Sequence, residues 1–106
     1  MELRNINTFL HIAELHSFSS AARELGYSQS AVSAQIAQLE AELGTPLFDR
    51  VGKTVRLTDA GQTFQSYART LLITAQQAKA ALMAESAARE TVNEEEDTDE
   101  KNQQNL

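Results

Sequence analysis

Residues 19–43, SSAARELGYSQSAVSAQIAQLEAEL, constrain this chain more than any other stretch, because they read as two short amphipathic helices joined by a turn containing glycine. Ala22 and Leu25 give the first helix an inward face, Gly26 can take the left-handed conformation that ends it, and Ser28 can cap the second through its side-chain oxygen. Val32, Ile36, Leu39 and Leu43 follow at steps of four, three and four, which predicts the buried stripe of the second helix. Its opposite face near the start is small and polar, with Gln29, Ser30, Ser33 and Ala34, and a major groove admits a helix of that shape. This is the grammar of a helix-turn-helix. An ordinary helical hairpin with a solvated polar face has the same periodicity, so the pair alone leaves both readings open.

The following segment separates them. PLFDRVGKTVRLT at 46–58 reads as two short strands around a Val51-Gly52-Lys53 turn, carrying Arg50, Lys53 and Arg56. A helix-turn-helix with a basic hairpin behind it is a winged helix. Upstream, Leu3, Ile6, Phe9, Leu10, Ala13 and Leu15 predict a first helix packed on the other two, with Phe18 turning the chain into the next element.

Beyond the hairpin, Thr58 suits an N-cap with Asp59 in the first turn, and the helix it opens is expected to run through Arg89. Phe64, Ala68, Leu71, Ala75, Ala78 and Leu82 alternate steps of four and three, a 3.5-residue period, with Leu72 and Ile73 widening the apolar face. Such a helix, about 30 residues at about 1.5 Å each, is too long to fold back along a small domain, so pairing with a second copy is the expectation. The alanines would permit close approach. The expected fold class is therefore mainly α: a winged helix-turn-helix at 1–58 of three helices plus a two-stranded β wing, then a long dimerisation linker helix at 59–90.

The formal charge of −6 looks wrong for a nucleic-acid binder until it is placed along the chain. Through Met83, Arg4, Arg23, Arg50, Lys53, Arg56, Arg69 and Lys79 balance Glu2, Glu14, Glu24, Glu40, Glu42, Asp49 and Asp59. The deficit lies entirely after Ala84, where Arg89 and Lys101 face Glu85, Glu90, Glu94, Glu95, Glu96, Asp97, Asp99 and Glu100. Residues 91–106, TVNEEEDTDEKNQQNL, are almost devoid of apolar side chains and are expected to form an acidic disordered tail.

Catalytic and metal chemistry find little material. The chain has no cysteine, which removes disulfides, thiolate ligands and thiol nucleophiles. His11 and His16 lie five residues apart, about 140° around a helix, and do not share a face. There is no GxSxG elbow and no phosphate loop, and the glycines have structural uses: Gly26 and Gly44 after helices, Gly52 in the hairpin turn, Gly61 at a close approach. The expectation is no enzyme, no cofactor and no metal site. The amino terminus lacks a secretory pattern and no window matches a membrane span, so a cytoplasmic location without membrane partners is expected.

From Phe18 to Gly61 the chain resembles the amino-terminal DNA-binding domain of the LysR-type transcriptional regulators of bacteria. The resemblance rests on Ala21-Ala22, Leu25, the run Ser28 to Ser33, Gln35-Ile36, Leu39-Glu40, Leu43-Gly44, Leu47-Phe48, Arg50, Leu57-Thr58 and Gly61, in order and at family spacing. With the flanking helices it covers roughly residues 1 to 90. It implies sequence-specific binding of double-stranded DNA at an interrupted inverted repeat by a homodimer paired through antiparallel linker helices. Gln29, Ser30, Ser33 and Ala34 would then lie at the base edges, where Gln29 can pair bidentately with adenine and the serines can reach bases or phosphates. Arg50, Lys53 and Arg56 would take the wing's place at the backbone and minor groove. Tyr27 and Thr58 can donate to phosphate, with packing and capping as their respective alternatives.

Two departures from the family matter. Positions 34 and 37, often basic in relatives, are alanine here. The effector-binding domain that follows in typical relatives has no counterpart in these residues, so inducer recognition, with its small molecule, is not expected of this chain alone. Two further readings stay open. The linker helix could pair with full-length relatives and inhibit them, or the acidic tail could compete with DNA for the wing.

Overall fold

The computed structural model of the chain describes residues 1–52 and 54–95. Its elements run α1 (Leu3–Leu15), α2 (Phe18–Leu25), α3 (Gln29–Leu43), β1 (Phe48–Val51), β2 (Thr54–Leu57) and α4 (Asp59–Glu95). The strands form an antiparallel pair, and the winged helix-turn-helix read from the sequence is the fold. Two compact units divide at Ile73/Thr74, so α4 starts in the first and continues in the second.

Side-chain caps set the helix starts. Ser17 accepts the Ser20 N–H at 3.0 Å to open α2, and Ser28 accepts the Ala31 N–H at 3.1 Å to open α3. The turn between them depends on Gly26, whose φ of 78° places it in the left-handed region. There it lets the Tyr27 N–H fold back onto the Ala22 carbonyl at 2.9 Å.

The core lies where α1, α2, α3 and the base of the wing converge, around Ile6, Phe9, Ile12, Val32, Ile36, Leu39 and Leu47. Phe9 is completely buried, with ring centroids 5.2 Å from both Phe48 and Phe64, and Phe48 in turn meets Phe18 edge-on at 5.6 Å. A partly buried hydrogen bond from the Thr8 hydroxyl to Gln35 Oε1, 2.6 Å long, ties α1 to α3. His11 donates from Nδ1 to the Asn7 carbonyl, while His16 ends α1 in a left-handed conformation.

Four expectations shift. Leu43 continues the buried row of α3 in spacing but is 36% exposed, because it sits in the last turn, past the covered part of the helix. Leu3 and Leu15, at the two ends of α1, are likewise exposed, whereas Ile12, absent from the expected row, shares the face of Phe9 and Ala13 and is fully buried. Val51 pairs with Thr54 inside the ladder, so it belongs to β1 and not to the turn, which is one residue shorter than expected. Gly52 supplies the positive φ that such a tight connection uses. The last helix continues to Glu95, five residues past its expected end at 90, and the remainder of the acidic tail lies outside the described residues.

The segment Pro46-Leu47-Phe48 is held from both sides. The Glu40 carboxylate accepts the Leu47 N–H at 2.7 Å and the Phe48 N–H at 3.4 Å. Opposite, Thr58 donates its hydroxyl to the Pro46 carbonyl at 2.7 Å and its N–H to the Leu47 carbonyl at 3.0 Å. Gly61 packs directly on this segment: a Cβ there would overlap the Leu47 carbonyl oxygen and lie 2.9 Å from Leu57 Cδ2. Since the obstruction is mostly backbone, Gly61→Ala should destabilise the chain by about 3 kcal/mol, the upper range for overpacking, as a lowered midpoint in urea unfolding.

Candidate nucleic-acid interface

The first two turns of α3 bring Gln29, Ser30, Ser33 and Ala34 together at one end of one helix, with Tyr27 just before it. Gln29, Ser30 and Ala34 are exposed, while Ser33 is half-buried. Amphipathic folding produces this: Val32, Ile36 and Leu39 must turn inward, and the residues between them turn out. The cap orders the same end. Ser28 Oγ also lies 3.2 Å from Ser30 Oγ, so one hydroxyl orients the other.

The sequence reading passed over one feature of this end. The N–H groups of Gln29 and Ser30, first in the helix, have no intrahelical acceptor and sit at the positive end of the α3 dipole. They can bind an anion without any basic side chain. This matters because α3 carries Glu40 and Glu42 and no lysine or arginine. Arg23, exposed in the last turn of α2, was also passed over, although a charge count of the helix-turn-helix alone picks it out.

In the wing, the register decides where the cations go. Arg50 is opposite Val55 and Arg56 is opposite Asp49. Side chains alternate along a strand, so Arg50 shares the face of Phe48, Val55 and Leu57 while Arg56 lies on the other. The guanidinium of Arg50 is stacked 3.8 Å from the centroid of Phe18, at the rim of the core. Arg56 lines a shallow cleft with His16, Asp49, Leu57 and Gln62. The basic cluster expected from the sequence is therefore split across two faces. Lys53 lies outside the described residues.

Thr58 is a capping residue. Its hydroxyl proton goes to the Pro46 carbonyl and its oxygen accepts the Gly61 N–H at 3.0 Å, leaving it no proton for a phosphate. Tyr27, 36% exposed, keeps its side chain partly in solvent.

The seam expected to meet a partner also divides. Phe64 packs on Phe9, Leu72 is half-buried against the same core, and Ala68 is completely buried, so these side chains are used inside the chain's own first unit. Leu71 in that unit and Ala78 and Leu82 in the second are exposed, and Ala75 is half-buried. Tyr67, absent from the expected seam, is 66% exposed. Among the described residues no helix is long and apolar enough to cross a membrane, and no group of acidic or histidine side chains is placed to hold a metal.

Residues 3–62 match the family model described as bacterial regulatory helix-turn-helix protein, lysR family. The chain is 47% identical over 91 residues to an uncharacterised HTH-type transcriptional regulator, YwqM, of Bacillus subtilis strain 168, a span of 86% of this chain and 30% of that protein. It thus covers about a third of this relative's length. Among solved structures, it superposes on CbnR_DBD in its DNA complex with a TM-score of 0.77 at 34% identity, covering 81% of this chain and 99% of that one. BenM_DBD bound to catB site 1 DNA gives a TM-score of 0.79 at 35% identity, over 84% and 96% of the two chains.

The double role of the Thr58 hydroxyl makes a separable prediction. Thr58→Ala should lower unfolding stability by about 1–2 kcal/mol through loss of the cap and the Pro46 bond. The salt dependence of DNA binding by the folded fraction should stay as it was.

Proposed function

This chain belongs to the LysR family of bacterial regulatory helix-turn-helix proteins, and on that premise we propose that it binds an interrupted inverted repeat in double-stranded DNA as a homodimer and regulates transcription from it. The observation that carries the proposal is the close superposition, over nearly their whole length, on two relatives whose crystal structures contain DNA. The local chemistry agrees with it. A capped helix end with exposed Gln29, Ser30 and Ala34 offers hydrogen-bonding and apolar groups to base edges. Gln29 is the proposed specificity residue, reading adenine through its amide, and Ser30 and Ser33 reach bases or phosphates at short range.

Affinity is assigned mainly to the wing and to backbone amides, because α3 has no cation of its own. Arg50, Lys53 and Arg56 are the proposed phosphate and minor-groove contacts. With roughly three or four phosphates neutralised per protomer, a dimer should show a log-log salt slope of about −5 to −7, at about −0.9 per phosphate. Two linked half-sites compensate for a weak single one. The proposed pairing surface is Leu71, Ala75, Ala78 and Leu82 of α4, with Tyr67 added from the structure, since exposed large apolar groups on one helix are the kind of surface a second helix covers.

Selection of duplexes from a random pool tests the reading. The intact chain should enrich an interrupted palindrome. Gln29→Ala should blur the bases at fixed half-site positions, by about 1–3 kcal/mol of lost discrimination, while Arg50→Ala with Arg56→Ala should weaken binding to all sequences alike. Leu71→Asp with Leu82→Asp should leave a monomer by sedimentation. Absence of enrichment from a dimeric protein would instead make the chain a partner-dependent module.

A further inference from the structure

We propose that Glu40 is the positioning residue that couples the recognition helix to the wing, so that the two halves of the interface dock as one rigid piece. The proposal rests on the DNA-binding reading above and adds to it the device that aligns its parts. Glu40 lies in α3, ten residues beyond the exposed Ser30, and is half-buried. Its Oε2 reaches out of the helix to the Leu47 N–H at 2.7 Å and the Phe48 N–H at 3.4 Å. Phe48 is the first residue of β1. A single carboxylate oxygen therefore joins α3 to the root of the wing.

No other hydrogen bond in the described residues links α3 with the hairpin or its root. On the far side the same root is joined to the beginning of α4 by Thr58, through the Pro46 and Leu47 carbonyls, with Gly61 pressed against it. Beyond Phe48, Arg50 over the Phe18 ring is the wing's further polar tie to the helices. Glu40 is an odd choice for a helix that faces polyanionic DNA, because its charge repels the ligand. Its geometry accounts for it. A carboxylate accepts two amide protons from one direction and forms stronger bonds with them than a neutral acceptor would. With it removed, the wing keeps its internal ladder and its aromatic anchor but loses its angle to α3.

The test compares variants of the full chain at the duplex selected above. Glu40→Gln and Glu40→Ala both remove the repelling charge, and only glutamine keeps an oxygen that can accept the Leu47 N–H. The alanine variant should bind about tenfold more weakly than the glutamine variant, with a salt slope shallower by about two for the dimer, at about −0.9 per phosphate. Discrimination against a mutated half-site base should be equal in the two. In a background of Arg50→Ala and Arg56→Ala the difference between them should shrink to the part that Lys53 alone carries. A merely destabilised domain would lower the active fraction without changing the slope.

Equal affinity of the glutamine and alanine variants, or the same ratio in the background without wing arginines, overturns the proposal. Glu40→Asp provides the check if the alanine variant does not fold. It keeps the charge but is one methylene short, and it should show the same loss of slope relative to the intact chain; an unchanged slope overturns the proposal. Amide hydrogen exchange without DNA separates the two readings. If the intact chain selects no duplex, the DNA-binding reading fails by itself, while slower exchange at Leu47 and Phe48 in the glutamine than in the alanine variant still supports the clamp and equal exchange removes it.

Discussion

Four phenylalanines, one from each of α1, α2, β1 and α4, form a continuous chain of ring contacts, and the remaining structure is arranged about it. Phe9 is its centre, completely buried and 5.2 Å from both Phe48 and Phe64, with Phe18 reached through Phe48. They are all the phenylalanines the chain has. Aromatic pairs of this kind add about 0.5–1.5 kcal/mol each beyond the apolar area they bury, a large share for a domain this small. The same contacts also place functional groups. Phe18 holds Arg50 at the rim of the core, and Phe64 sets the first turns of α4 against the winged domain.

The recognition helix divides two tasks between its faces. Val32, Ile36 and Leu39 anchor it, and the first two turns present small polar groups whose order comes from the Ser28 cap. Because α3 contains acidic residues and no basic ones, attraction to a phosphate backbone has to come from elsewhere in the fold. The wing is proposed to supply part of it, with Arg50 and Arg56 on two opposite faces of a narrow hairpin. The amides at the start of α3 are proposed to supply another part. Such an interface depends on geometry more than one rich in cations, since hydrogen bonds are lost over a few tenths of an ångström whereas Coulomb attraction falls off slowly.

The last helix shows how one sequence pattern can serve two ends. Its 3.5-residue seam is regular from Phe64 to Leu82, yet Phe64 and Ala68 are taken up by the chain's own core. Only the later positions are left for another surface. Periodicity states that a face must be covered and says nothing about what covers it. The reach of the winged domain along α4 is a matter of packing.

Much of this was legible in the amino-acid order. Helix starts, glycine stops and the hairpin follow from local chemistry: serine oxygens cap amides, glycine tolerates positive φ, and alternation marks strands. The buried rows followed from period, except that they omitted Ile12 within α1 and failed at their ends, where Leu3, Leu15 and Leu43 run past the elements that could cover them. The candidate contacts at Gln29, Ser30, Ser33 and Ala34 were visible for the same reason, as the residues a row of buried neighbours leaves outside. What tertiary structure alone decided was longer in range. It put Arg50 and Arg56 on opposite faces through a ladder register, gave the Thr58 hydroxyl to a carbonyl twelve residues away, and set Glu40 on the root of the wing. Caps and periods are properties of neighbours along the chain, whereas these contacts join residues whose distance in space is set only once the core has closed.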